Sequence, residues 1–147
     1  MFNNYSIDKL TAINYTEILK VWESSVRATH DFLDEADIQA YKSLIDNNCL
    51  DQLQLYGVRQ ENHISGFIGI NDIQIRLLFV LPEARGTGIG ISLINFVYQH
   101  FGIKEVDVNE QNTQAFDFYN YLGFIVTEKS DTDSIGKPFP ILSMRLP

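Results

Sequence analysis

Cysteine is almost absent from this sequence: Cys49 is the only one among 147 residues. A single thiol excludes a disulfide framework and any cysteine-rich zinc site. Its neighbours Asn47, Asn48 and Leu50 offer no activating group, so Cys49 reads as a buried or half-buried structural thiol. Histidine is scarce as well, and His30, His63 and His100 are scattered without a metal-ligand spacing, so no metal is expected. No apolar run approaches the roughly 18 residues that span a bilayer. Met1 to Leu10 lacks a basic stretch followed by an apolar one, the pattern of a signal peptide. The expectation is a soluble, cytoplasmic protein with no membrane partner. Positive charge is also short, with 11 Lys and Arg against 19 Asp and Glu, a net charge of −8. A nucleic-acid partner would need clustered cations to neutralise phosphates, so none is expected. The same charge suits a cationic acceptor such as an amine or a lysine side chain.

What the chain has in quantity is apolar surface. Its 45% hydrophobic and 20% charged residues suffice for one sizeable core and do not suit disorder, so residues 1–147 read as a single domain. Tyr5 to Leu10 reads as a first strand. Tyr15, Ile18, Leu19, Trp22 and Val26 recur at helical spacing, and Asp34, Glu35 and Asp37 enrich the first turn of a second helix. Gln52–Arg59, His63–Ile70 and Asp72–Val80 are then rich in β-branched and aromatic residues, with turn residues between them, and predict a three-strand antiparallel meander. The third run becomes continuously apolar toward its end, which predicts a strand buried on both faces. A helix to about Phe101, a strand at Glu105–Val108, a helix at Asn112–Leu122 and closing strands at Phe124–Lys129 and Ile141–Leu146 complete the chain. Asn112 fits an N-cap and Gly123 the residue after the helix end. The order is βαα-βββ-αβ-αββ, a mixed α/β (α+β) fold.

Between the third run of the meander and the following helix lies Arg85-Gly86-Thr87-Gly88-Ile89-Gly90. Glycines at alternate positions let backbone N–H groups approach a ligand closely, and the helix start adds partial positive charge. Arg85 adds a full charge and a fork of donors suited to phosphate. The dinucleotide fingerprint fails here, because the third glycine position falls on Ile91 counted from Gly86 and on Leu93 counted from Gly88. The nucleoside-triphosphate loop fails for want of a Gly-Lys-Ser/Thr.

The segment Val80 to Gly90 instead resembles the pyrophosphate-binding motif of the GNAT acyltransferase superfamily, R/Q-x-x-G-x-G/A. Downstream, Asn112-Thr113-Gln114-Ala115-Phe116-Asp117-Phe118-Tyr119, with Leu122-Gly123-Phe124 after it, is similar to that superfamily's second signature, N-x-x-A-x-x-x-Y…G-F. The two stand in the right order, and the element order agrees along the whole chain. Ala28 to Leu33 and Asn109 to Asn112 resemble a subgroup of small bacterial acetyltransferases.

The resemblance implies a fold whose fourth and fifth strands splay apart to hold the pantetheine arm of acetyl-CoA. It implies an N-acetyltransferase passing an acetyl group from acetyl-CoA to a primary amine: a small molecule, a peptide N-terminus or a lysine. Phe79, Val80 and Leu81 would pair with the pantetheine. Arg85, Gly86, Thr87, Gly88, Ile89 and Gly90 would bind the pyrophosphate. Asn112 would contact the CoA arm, act as a helix cap, or do both. Tyr119 would donate to the departing thiolate, its other reading being a core aromatic. Asp107, His30, Glu110, Glu23 or a water relay would take the proton of the amine. Trp22 to Leu33 would line one wall of the acceptor cleft, unless Trp22 and Phe32 only fill the core. The alternative function is a non-catalytic acyl-CoA sensor or interaction module of the same fold. Monomer and homodimer both stay open.

Overall fold

In the computed structural model, residues 5–29, 32–45, 47–133 and 136–147 are described. The elements run β1 (Ile7–Leu10), α1 (Tyr15–Thr29), α2 (Glu35–Leu44), α3 (Asn47–Asp51), β2 (Gln54–Gln60), β3 (His63–Ile70), β4 (Ile75–Val80), α4 (Ile89–Phe101), β5 (Glu105–Asn109), α5 (Thr113–Tyr121), β6 (Ile125–Ser130) and β7 (Ile141–Arg145). This is the expected order with one addition, the five-residue helix α3, which is too short to show a helical period in sequence.

Local chemistry sets the helix ends. Asp34 accepts from the backbone N–H of Asp37 at 2.8 Å and Asp37 accepts from that of Asp34 at 3.3 Å, a reciprocal cap at the start of α2. At the far end of α4, Gly102 takes a left-handed φ of 67° and its N–H donates to the Tyr98 carbonyl at 2.9 Å.

The sheet has seven strands in the order β1-β2-β3-β4-β5-β7-β6. Neighbours are antiparallel except β4 and β5, which run parallel and share one registered pair, Ile75 with Val106. Beyond that pair the two strands part. The core is divided by the sheet. On one face α1 and α2 bring Ile18, Val21, Trp22, Val26 and Ile38 onto Leu55, Ile64 and Phe67. On the other, α4 and α5 bring Ile89, Leu93, Val97 and Tyr119 onto Ile68, Ile75, Val106 and Met144. The fold is thus mixed α/β with splayed fourth and fifth strands.

One expectation is corrected. β4 starts at Ile75, not Asp72, and is not buried on both faces: Ile75 is buried, Arg76 is exposed, and Leu77 to Val80 are half-buried. Its apolar end borders the opening left by β5. The strand buried along nearly its whole length is β3, which has a paired strand on each side and helices on both faces.

Gly66 on β3 fixes where α4 begins. A Cβ there would lie 2.8 Å from Ile89 Cγ2 and 3.3 Å from the Phe79 carbonyl oxygen, so the first residue of α4 rests on a spot only glycine leaves open. Gly66→Ala must displace a β-branched side chain at the helix start. Overpacking of this kind destabilises by about 1–3 kcal/mol. The urea midpoint should fall by that equivalent with an unchanged m-value; an unchanged midpoint would show that Ile89 yields freely.

Candidate active site

The parting of β4 from β5 opens a cleft of about 850 Å³. Its walls come from β4 (Leu78, Phe79, Val80), the glycine turn, the start of α4, one side of α5 (Asn112, Ala115, Phe118, Tyr119) and two hydroxyl residues of α1, Ser25 and Thr29.

The β4 edge carries hydrogen-bonding groups into this gap. Leu81 N–H donates to the Ser65 carbonyl at 2.8 Å, and Phe79 is registered with Phe67. Alternate residues of an antiparallel strand point their N–H and C=O in opposite directions. Phe79 and Leu81 therefore face β3, while Leu78 and Val80 present theirs toward β5. Of Phe79, Val80 and Leu81, the positions expected at the pantetheine, only Val80 has its backbone groups turned to the gap. Leu78, which the motif did not reach, joins it.

The turn is built for an anion. Gly86 and Gly88 have φ of 76° and 89°, the left-handed region, and a Cβ at either would meet nothing within 4 Å. The space beside them is the cleft. Gly88 caps α4 with no side-chain hydrogen bond to the helix start, so the first-turn N–H groups are left for a ligand. Gly90 serves packing as well: its missing side chain lets Phe118 of α5 approach to 3.2 Å of where a Cβ would sit.

Arg85 turns back into the cleft. One guanidinium nitrogen donates to Ser25 Oγ at 3.0 Å and to the Ser25 carbonyl at 3.3 Å, and another reaches Gln114 Oε1 at 3.5 Å. These partners are neutral, whereas Arg27, Lys42, Arg59, Lys129 and Lys137 each meet a carboxylate. Burial lowers the Arg85 guanidinium from its usual value, but it stays charged. A half-buried cation without an anionic partner among the described residues fits a phosphate ligand.

On α5, Asn112 Oδ1 accepts from Ala115 N–H at 3.1 Å, so the cap exists, and the residue also lines the cleft. Tyr119 is 5% exposed. Among the described residues no hydrogen bond within the chain reaches its hydroxyl, and no fully buried side-chain oxygen lacks a partner. The hydroxyl must therefore open on the cleft that the residue lines. Burial pushes the phenol up from its ordinary value of about 10.

The proposed proton acceptors are not gathered here. His30 lies outside the described residues, as does Asp31. Asp107 sits exposed on β5, between Val106 and Val108, which face α4 and α5, and accepts from Ser143 Oγ at 2.9 Å. Glu110 pairs with Lys129 at 3.0 Å. Glu23 meets Lys42 at 2.7 Å and Arg27 at 2.9 Å, and Lys42 followed by Arg27 holds its carboxyl below the usual range. Among the described residues no carboxylate or imidazole lines the cleft. From the segment 22–33, Trp22 is core, Arg27 is exposed, and Phe32 packs edge-on against Phe139 at 5.8 Å. Ser25 and Thr29 reach the cleft instead. Sequence periodicity weighs apolar positions, and these two are polar residues on the same helix.

A parted pair of parallel strands above a glycine-opened helix start without a side-chain cap is the arrangement expected of an acyl-CoA-dependent transferase. The acetyltransferase (GNAT) domain family matches residues 20–145, and the chain belongs to it: it is an N-acetyltransferase that takes its acetyl group from acetyl-CoA. It is 34% identical over 131 residues to the peptidyl-lysine N-acetyltransferase YjaB of Salmonella typhimurium, covering 89% of this chain and 90% of that protein. The Escherichia coli YjaB is 34% identical over 129 residues, 87% of each chain. The solution structure of apo YjaB from Escherichia coli superposes with a TM-score of 0.86 at 32% identity, covering 95% of each chain. In fold alone, the PaiA N-acetyltransferase of Thermoplasma acidophilum, solved in complex with coenzyme A, is similar with a TM-score of 0.77 and 22% identity over 97% of this chain and 99% of that one. The comparisons decide for the enzyme over the non-catalytic module.

Gly88→Val places two methyl groups in the open space beside the turn, at a φ of 89° that a β-branched residue resists. CoA affinity should fall at least about tenfold, roughly 1.4 kcal/mol. Calorimetry on protein shown to be folded by circular dichroism checks this; full affinity would remove the turn from the binding site.

Proposed function

We propose that the chain acetylates lysine side chains of peptides or proteins by direct attack of the amine on acetyl-CoA. The acceptor class rests on the relatives named peptidyl-lysine N-acetyltransferase at 34% identity. An acidic chain of net charge −8 is consistent with a cationic acceptor. No described helix is long and apolar enough to cross a membrane.

The pyrophosphate lies on the turn from Arg85 to Gly90, with Arg85 as its charged partner. The pantetheine amides pair with the β4 edge at Leu78 and Val80. A β4 N–H directed at the thioester carbonyl stabilises the oxyanion as the lysine nitrogen attacks. The C–N bond forms, the C–S bond breaks, and the leaving thiolate accepts a hydrogen bond from Tyr119. The observation that carries this role is Tyr119 itself: its ring is buried, while its hydroxyl has no partner among the described residues and opens on the cleft. Asn112 contacts the CoA arm beside its cap.

The amine's proton leaves through water, since the cleft walls carry no described base. Asp107 and His30 are the side-chain alternatives, and Asp107→Asn tests the first. Unchanged turnover with a lysine peptide fits the water relay, and a loss of about 10²-fold or more assigns the proton to Asp107.

Tyr119→Phe keeps the ring and removes the donor. Turnover should fall about 10²-fold or more while acetyl-CoA affinity changes little, because the lost interaction belongs to the transition state. Full turnover in the Phe variant would leave Tyr119 a packing role.

The pH profile follows from the same assignments. Lysine has an ordinary pKa of about 10.4, so its neutral fraction rises roughly tenfold per pH unit below that value. The raised Tyr119 phenol stays protonated over the same range, so the donor is not lost as pH rises. Between about pH 6 and 9, kcat/KM for a lysine peptide should climb with unit slope and show no descending limb. A plateau starting near pH 7 would place a titrating base in the site.

A further inference from the structure

Tyr5, just before β1, donates its hydroxyl to the carbonyl oxygen of Thr87 at 2.7 Å, from 82 positions away. Its ring packs against the core cluster that contains Ile89, the first residue of α4. Neither glycine motif nor second signature includes this residue.

Thr87 stands between two glycines with φ of 76° and 89°. Glycine adopts either sign of φ with little preference, so the peptide planes on both sides of Thr87 are free to flip unless something outside the turn holds them. Two bonds do so. Thr87 Oγ1 donates to the Ala84 carbonyl at 2.5 Å, which anchors the side chain. Tyr5 anchors the carbonyl. Among the described residues every peptide bond is trans. In a trans peptide the C=O and the following N–H point in opposite directions. Tethering the Thr87 oxygen to Tyr5 thus aims the Gly88 N–H away from Tyr5, while the Gly88 α-carbon borders the open cleft.

We propose that Tyr5 is a positioning residue for coenzyme A: its hydroxyl holds the Thr87–Gly88 peptide with the Gly88 N–H turned to the pyrophosphate. The inference rests on the reading of residues 85–90 as the pyrophosphate cradle. Tyr5 touches no reacting atom, and its effect is confined to donors that carry the pyrophosphate.

The test compares wild type with Tyr5→Phe, using calorimetry with CoA and steady-state kinetics with acetyl-CoA and with S-acetylpantetheine, which lacks the pyrophosphate. The Phe variant should bind CoA about three- to tenfold more weakly, the range for one hydrogen bond. Its kcat at saturating acetyl-CoA should match wild type, and its kinetics with S-acetylpantetheine should be unchanged. CoA affinity equal to wild type, or an equal loss with both donors, overturns the proposal. Wild type that fails to prefer acetyl-CoA over S-acetylpantetheine overturns the cradle reading and this inference with it. Tyr5→Leu removes the ring too and separates packing from tether. It should lower Tm further yet weaken CoA no more than the Phe variant does. CoA affinity that falls in step with Tm assigns Tyr5 to packing and overturns the proposal.

Discussion

The parting of β4 from β5 after the single pair Ile75–Val106 is the constraint on which the rest of the site depends. A parallel pair that stayed registered would close the sheet, and the backbone groups of Leu78 and Val80 would be used internally. Because the strands separate, the sheet keeps a row of unpaired donors and acceptors on an inner strand, where a sheet edge would otherwise be a liability. The neighbouring pairs hold the split open. β5 is paired along its whole length with β7, and β4 with β3 at Ile75 and from Leu77 to Val80, so each half of the sheet is held without the other. The start of α4 is located on the β4 side of the split by Ile89 resting on Gly66 of β3.

Electrostatics follow from that geometry. The chain is acidic overall, and the ion pairs of Arg27, Lys42, Arg59, Lys129 and Lys137 lie outside the cleft. At the turn the balance reverses: Arg85 has neutral partners, the first N–H groups of α4 lack a side-chain cap, and no described carboxylate lines the cleft. An anion entering there meets one full charge and a helix terminus in a partly desolvated space, where both act more strongly than at a free surface.

The turn was legible in the sequence because its backbone demands are unusual. Gly86 and Gly88 occupy positive φ, and few residues but glycine do so without strain. Asn112 and Tyr119 were legible through the resemblance of residues 112–124 to the superfamily's second signature, and their seven-residue separation is two helical turns. The acceptor side was less legible. Ser25 and Thr29 carry no periodic signal distinct from a solvated helix position. The apolar end of β4 was read as buried on both faces because a strand bordering a cleft and a strand bordering a core share the same composition. Asp107 was named from its place at the end of β5, but one residue of register decides which face of the sheet a side chain joins. Here Val106 and Val108 take the face packed by α4 and α5, and Asp107 takes the other.

Tyr119 shows why the packing and catalytic readings of one residue need not compete. Its ring meets Phe118 edge-on at 5.3 Å and Phe124 at 5.2 Å, and it belongs to the core cluster under α4. Those contacts fix the ring and therefore the line along which the hydroxyl points. A donor held by core packing needs no reorganisation when charge develops on a leaving group. The burial that locks the ring also raises the phenol's pKa, which keeps the proton on the oxygen at the pH where amines begin to lose theirs. On the proposed catalytic role, the core acts as the supporting shell of the site: the aromatic contacts that pack Tyr119 would also preorganise its hydroxyl as a donor.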